Sequence, residues 1–198
     1  MRRTKAQQRQ DTTHALVTEA RTLFARHGYA AVSLADIVDG VGLTKGALYH
    51  HFDNKAALFH AVVEQVQSEV AARVVAAAET SDDPWLRLTA GCEAFLRASA
   101  DPDVQQIMLV DGPAILRWHE WRTMDEAASG QHLSEALAEL IEQGTIPEQP
   151  IAPLTHLLSG AMNEAALWLA QSTRPRDLDD TIVALSRLLD SLRHPKLT

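Results

Sequence analysis

The sequence predicts an all-α protein: a three-helix head containing a helix-turn-helix, set on a larger helical body, with about nine helices in all. Three observations predict it. No segment alternates apolar and polar residues with period two over the length of a strand. Apolar residues instead recur three and four apart between Gly, Pro and Asp/Asn punctuation. Charge is also divided. Residues 1–60 hold eight Lys and Arg against five Asp and Glu, a net +3, while the rest carries ten against twenty-one, a net −11. The overall charge of −8 therefore conceals a basic head that can neutralise phosphates, on an acidic body that repels them.

Composition narrows the class. With 198 residues the chain has length for one large or two small domains and a sizeable core. Nine Gly and eight Pro exclude collagen-like and low-complexity architectures, and no internal repeat is visible. The single cysteine, Cys92, leaves no intrachain disulfide and suits a reducing cytoplasm. The opening MRRTKAQQRQDTTHALV is basic but lacks the apolar core of a signal peptide. No apolar run of about 18 residues exists, so no membrane contact is expected. The expected location is cytoplasmic and nucleoid-associated.

Residues 1–11 are polar and basic without apolar period; they read as an arm that frays when free and follows the DNA backbone when bound. Thr12 or Thr13 is positioned to cap the first helix, with a stripe at Leu16, Ala20, Leu23, Phe24 and His27, and Gly28 ends it. Ser33 caps a second helix bearing Leu34, Ile37, Val38 and Val41, which Gly40 and Gly42 break. Thr44 caps a two-turn helix from Lys45 to Phe52. Its Leu48 and Phe52 share one face, and Lys45, Gly46, Tyr49 and His50 show on the other. Two short helices meeting at a tight turn form a helix-turn-helix, whose second helix suits the major groove of DNA. The head spans 1–54, with the recognition helix at about 44–51, and the body 55–198.

In the body, Asp53 or Asn54 caps a long helix running from Lys55 to about Glu79, with Leu58, Phe59, Val62, Val66, Val70 and Val74 in its stripe. At about 1.5 Å per residue it must leave the head and enter the body. Lys55 lies in its first turn, where backbone N–H groups favour an anion. Pro84 opens a helix with Trp85, Leu88, Cys92, Phe95 and Ser99 on one face. A short helix from Val104 to Val110 is expected to end at Gly112-Pro113. The next should carry Ile115, Trp118, Trp121 and Met124, kink at Ser129-Gly130 and resume to about Gln143. The last two helices, Pro153 to Gln171 and Leu178 to Leu192, are apolar on two faces, and a second copy of the chain is the simplest cover. Leu157, Ala161, Ala165, Leu185, Leu188, Leu189 and Leu192 are the expected interface of a homodimer, as a four-helix bundle.

A small-molecule effector pocket is expected inside the body, lined by Cys92, Phe95, Met108, Trp118, Trp121, Met162 and Trp168. Asn163, His119 or His156 would serve as its polar anchor. For each of these, ordinary core packing is the competing reading. No metal and no cofactor are expected: His50 and His51 point about 100° apart on a helix, and the remaining histidines lack ligand spacing. Gly40-Val-Gly42 follows no strand, and no nucleophile motif occurs, so an enzyme is not expected.

Residues 13–63 resemble the DNA-binding domain of TetR/AcrR-type transcriptional regulators, most densely in Gly-Val-Gly-Leu-Thr-Lys-Gly-Ala-Leu-Tyr-His-His-Phe followed by Lys55. Asp39-Gly40 departs from the family's usual Ala-Ala. The resemblance implies that Thr44 caps the recognition helix and touches a phosphate, that Lys45 and Gly46 face the major groove, and that Tyr49 and His50 contact the backbone. It implies further phosphate contacts at Ser33 and Lys55. The implied function is a ligand-responsive regulator: a repressor that binds a palindromic operator in double-stranded DNA as a homodimer and is released by a small effector, which the three tryptophans of the body's later helices favour as apolar or aromatic. The alternative is a helical sensor or adaptor that acts through protein contacts without specific DNA binding.

Overall fold

The computed structural model describes residues 4–193, which form nine helices and no strand. Helix α1 is Lys5–Ala31. It begins earlier than Thr12, because Thr4 and Gln7 close a reciprocal capping box and the intervening residues are good helix formers. The expected N-terminal arm is thus helical from Lys5 onward with Thr4 as its cap, and residues 1–3 of that arm lie outside the described residues. Thr12 and Thr13 cap nothing; their hydroxyls donate to the Gln8 and Arg9 carbonyls one turn back. Gly28, at φ 75° and ψ 157°, adopts a conformation open essentially to glycine and turns the chain off the helix axis.

Helix α2 (Leu34–Gly40) starts at a Ser33/Asp36 capping box. Gly42, at φ 67°, makes the tight turn into α3 (Lys45–Tyr49), which Thr44 caps. The helix is shorter than the Lys45–Phe52 expectation, and the chain passes through a turn to reach α4 (Lys55–Ala78), capped by Asn54. Leu16, Phe24, Ile37, Leu48, Leu58 and Phe59 are wholly buried and join the head to the first turns of α4. Phe24 and Tyr29 meet Phe59 edge-on, at centroid distances of 5.3 and 4.9 Å.

Helix α5 (Pro84–Ser99) is capped by Asp83 and folds back along α4. Helix α6 is one rod in three parts: an α-turn Pro102–Val104, a π-helical stretch Gln105–Asp111 and an α-turn Gly112–Ile115. Gly112-Pro113 therefore does not end it. The break comes at Leu116 and Arg117, both extended, while Gly112 gives room to the Trp121 indole, 2.9 Å from where a Cβ would stand. Helix α7 comprises Trp118–Asp125, a π-helical turn Glu126–Gly130 and Gln131–Glu142. The irregularity expected at Ser129-Gly130 is that widened turn. Gly144, at φ 71°, follows α7, and Ile146 tucks the ensuing loop into the core.

Helices α8 (Ile151–Ala170) and α9 (Asp177–Asp190) complete the body. Helix α8 buries Leu154, Leu158, Met162 and Ala166 and leaves Leu157, Ala161 and Trp168 exposed. Helix α9 buries Ile182 and Leu189 and exposes Val183 and Leu188. Leu189, expected at the dimer face, belongs to the core of the single chain, because α9 packs that side on α5. Ala165, Leu185 and Leu192 are half-buried against the same core. The unpartnered apolar face consists of Leu157, Ala161, Trp168, Val183 and Leu188.

Candidate DNA-reading surface and effector cavity

The candidate reading surface is built from α2 and α3. Ser33 Oγ accepts from the Asp36 N–H at 3.3 Å, and the Ser33 N–H donates to the Asp36 carboxylate at 2.8 Å, which fixes the start of α2. That pairing holds the Asp36 carboxyl below the usual carboxylate range. Thr44 Oγ1 accepts from the Ala47 N–H at 3.2 Å, so the recognition helix is pinned at its first turn. Leu48, wholly buried, anchors it from beneath. The opposite side presents Thr44, Lys45, Gly46, Tyr49 and His50, all exposed. Tyr49 is 54% exposed despite its large ring, and a Cβ on Gly46 would meet only Thr44 Oγ1, at 3.8 Å. An exposed surface of this kind can reach base edges and phosphates.

The structure brings two further groups to this surface. His51 Nδ1 lies 2.8 Å from Thr13 Oγ1, tying the end of the reader to the early turns of α1. Burial, then Arg9 and His50, hold the His51 imidazolium below the usual histidine range. Exposed Arg9 therefore stands beside the reader on regular helix. Its placement depends on the overlooked capping box at Thr4.

Lys55 is the departure. It opens α4 as expected, but its ammonium turns inward, donates to the Tyr29 carbonyl at 2.5 Å and sits 4.1 Å over the Tyr29 ring. Burial lowers its pKa, while Asp111 and Asp36 pull the other way. Asp111, in the π-helical stretch of α6, accepts from the Tyr29 N–H at 2.8 Å. Both backbone groups of Tyr29 are thus held, one by α4 and one by α6, and this junction joins head to body. The expected phosphate contact by the Lys55 side chain conflicts with that placement.

The body contains a cavity of about 230 Å³ between α4, α5, α7 and α8. Cys92, Phe95 and Met162 line it, as expected. The other five expected residues do not. Met108 is buried core, and its carbonyl accepts from the Trp121 indole N–H at 2.7 Å, so both are structural. Trp118 is 65% exposed and rests against Trp121 at 5.1 Å. Trp168 is exposed on the outer face of α8. Asn163 is buried but donates to the Asp125 carboxylate at 3.1 Å outside the cavity lining. Of the other suggested anchors, His119 is exposed, and His156 is exposed and 3.5 Å from Glu126.

The lining that sequence reasoning missed includes Val74, Ala78, Leu88, Gly91, Leu133 and Ala136, with Glu79, Arg87, His132, Glu135 and Glu139 among its charged and polar members. An isolated glycine inside a helix was the available signal: Gly91 lets α4 and α5 approach, with Val74 Cγ1 3.4 Å from its would-be Cβ. Arg87 lies 3.6 Å from Glu139, bridging α5 and α7 across the lining. Burial pushes the Cys92 thiol up to about 12, so it acts as an apolar wall rather than a nucleophile. Among the described residues, no cluster of His, Cys, Asp and Glu has the form of a metal site.

Two family models match the chain. "Bacterial regulatory proteins, tetR family" covers residues 16–62, and "Tetracyclin repressor-like, C-terminal domain" covers residues 85–192, more than half of the chain. The Transposon Tn10 TetC protein of Escherichia coli is 26% identical over 176 residues, 89% of each protein. The HTH-type transcriptional regulator TtgR of Pseudomonas putida is 36% identical over 83 residues, 42% of this chain and 39% of that protein. A crystal structure of a TetR-family transcriptional regulator from Pectobacterium atrosepticum superposes with a TM-score of 0.82 at 32% identity, covering 98% of this chain and 99% of the other. RolR in complex with resorcinol superposes with a TM-score of 0.73, covering 98% and 100%, but at 21% identity it shares the fold alone. With its N-terminal reader and its helical body both matched, the chain belongs to the TetR family of bacterial DNA-binding transcriptional regulators.

Proposed function

We propose that this regulator is a repressor that grips a palindromic operator as a homodimer and lets go when a small molecule enters the cavity of the body. The observation that carries the DNA half is the display of Thr44, Lys45, Gly46, Tyr49 and His50 on one exposed, capped helix of a net-positive head. In this reading Lys45 donates to guanine acceptors, Gly46 permits the approach, and Ser33, Thr44, Tyr49 and His50 contact the flanking backbone. Arg9 extends the basic surface. The exposed apolar face of α8 and α9 supports dimerisation. A two-fold dimer would set its recognition helices about 34–36 Å apart, one turn of DNA. A soluble regulator of this kind works in the cytoplasm, on the nucleoid; none of the described helices is long and apolar enough to cross a membrane.

The proposed coupling runs through the Tyr29 junction. The π-helical stretch of α6 touches α1, α4 and α8, and its Asp111 holds Tyr29. A ligand that shifts α4 against α6 would move Lys55 and Tyr29 together and re-space the two heads. Linkage then requires that operator DNA weaken ligand affinity by the factor by which ligand weakens operator binding. The test is selection of binding sites from random DNA, followed by titration against salt. Recovery of an inverted repeat with salt-sensitive affinity is expected. Failure to enrich any sequence would favour the adaptor reading.

A further inference from the structure

The lining of the cavity divides by exposure into two unlike parts. Its buried walls are apolar: Leu88, Cys92, Phe95, Leu133 and Met162. Its solvent-facing members are charged. Glu79, Arg87 and Glu135 are exposed, His132 is exposed and Glu139 is half-buried. Three carboxylates therefore share this mouth with one guanidinium, a net charge of −2 with His132 neutral. The pairs already present there are loose. Arg87 Nη1 stands 3.6 Å from Glu139, and His132 Nδ1 stands 3.9 Å from Glu135, both beyond hydrogen-bonding distance. The Glu79 carboxylate has no cationic partner among the described residues.

Two further observations, independent of these side chains, have the same sign. Glu79 is the C-cap of α4, and Val75 and Ala78 from the last turn of that helix also line the cavity. The carbonyl end of a helix carries roughly half a negative charge, which a basic side chain in the last turn offsets; α4 has none there. The body as a whole, residues 61–198, carries a net −11, and a field of that sign draws cations toward it. An anion would meet three carboxylates at the mouth with only Arg87 to receive it. A neutral ligand would cover Glu79 and return nothing for the hydration it displaces. At about 230 Å³ the cavity lies below the roughly 300–1,000 Å³ of drug-sized pockets, which limits the ligand to about one ring with a short chain.

We infer that the effector is a small organic cation: one apolar ring seated among Cys92, Phe95 and Met162, joined by a short chain to an ammonium or amidinium group held at the mouth by Glu79, Glu135 and Glu139. This inference rests on the reading of the cavity as the effector site. It also gives the signal a handle. Glu79 ends α4, whereas Glu135 and Glu139 belong to α7. A cation shared by both draws the far end of α4 toward α7, and the near end of α4 holds the Tyr29 carbonyl through Lys55.

The test uses the full-length protein and three probes of matched size: 2-phenylethylammonium, 2-phenylethanol and 3-phenylpropanoate. Affinity is read by calorimetry, the site by the NMR shift of the Met162 methyl group, and the output by operator binding in the presence of each probe. The cation is expected to bind roughly tenfold more tightly than the alcohol, the sum of two or three partly exposed ion pairs, and to lead the carboxylate by more. Its lead should shrink as salt is raised from about 0.05 to about 0.5 M, because the mouth is open to solvent. Glu79→Gln and Glu135→Gln should each narrow the lead over the alcohol about threefold. Both positions are exposed, so the thermal midpoint should hold. A lead undiminished in both variants would overturn the placement of the charge at the mouth. Alcohol or carboxylate binding as tight as that of the cation, with a shifted Met162 methyl and weakened operator binding, would overturn the cationic class and leave the effector site standing. A cation that leaves Met162 unmoved, or shifts it without weakening operator binding, would overturn both.

Discussion

The DNA-reading surface and the cavity are assembled in opposite ways. The reader is local: Ser33, Thr44 and Leu48 set two short helices within sixteen residues, and the side chains that face outward are free of the core. The cavity is distant in sequence: its walls come from α4, α5, α7 and α8, and it exists because small residues such as Ala78, Gly91 and Ala136 leave space there. A surface site is specified by what stands on it. An internal site is specified by what its surroundings fail to fill, and any neighbour's rearrangement can close it.

That contrast makes the outer face of α8 and α9 the sharpest place to separate the two regions. Leu157→Glu with Leu188→Glu puts charge on exposed apolar positions that no core contact needs. The pair should yield folded monomers by light scattering, with ligand binding retained and operator affinity lower by on the order of 1,000-fold, since one half-site no longer helps the other. A dimer of unchanged strength would move the interface elsewhere. Leu189 is unsuitable for this purpose, because a charge there would enter the core of the single chain.

A smaller effect is expected from the reader itself. Lys45→Ala with Tyr49→Ala removes two exposed side chains and no packing, so the thermal midpoint should hold. Operator affinity should fall by about 100-fold, roughly 3 kcal/mol for one base contact and one backbone contact together. Ligand affinity in the absence of DNA should not change. A parallel loss of ligand binding would break the division between a local reader and a remote sensor.

The same division decides what was legible in the sequence. Caps depend on one residue and the next three, and those at Ser33 and Thr44 were readable; Asn54 was one of two candidates beside Asp53, and the cap at Asp83 stood hidden behind the clearer signal of Pro84. The Thr4 cap is of the same kind, but the first turns of α1 face solvent and carry no apolar stripe to draw attention to it. Helical spacing showed that Trp118 and Trp121 share a side of α7; it could not show that α6 would fill the space before Trp121 and that nothing would cover Trp118. The inward turn of Lys55 depends on a Tyr29 backbone group and on Asp111, more than eighty residues from Tyr29. Local chemistry is written beside the residue it concerns, whereas a cavity or a junction is a property of packing.

The junction is where the two regions meet, and Asp111→Ala tests it. The substitution removes the acceptor of the Tyr29 N–H and a carboxylate near Lys55. A stability loss of about 1–2 kcal/mol is expected for a hydrogen bond to a charged group. The informative readout is the ratio of operator affinities with and without ligand, which should shrink several-fold while each site retains its own contacts. An unchanged ratio would show that the signal bypasses α6.

The smallest effect concerns the seam between the reader and α1. His51 has a folded-state pKa below the ordinary value of about 6.5, through burial first and then Arg9 and His50. Above that value the ring is neutral in both folded and unfolded chains, so it contributes nothing to the pH dependence. As the pH falls below about 6.5, the unfolded chain takes up a proton that the folded head resists, and stability declines until the folded-state pKa is passed. The head should therefore gain stability as pH rises from 5 to 7, by less than about 1 kcal/mol, because the site is only partly shielded from solvent. His51→Gln keeps a hydrogen-bonding partner for Thr13 and should flatten that slope. Thermal midpoints of both proteins across this range measure it. A wild-type slope of the opposite sign would mean that His51 is held charged in the folded head, and the seam would then add a cation to the reading surface instead of a neutral clasp behind it.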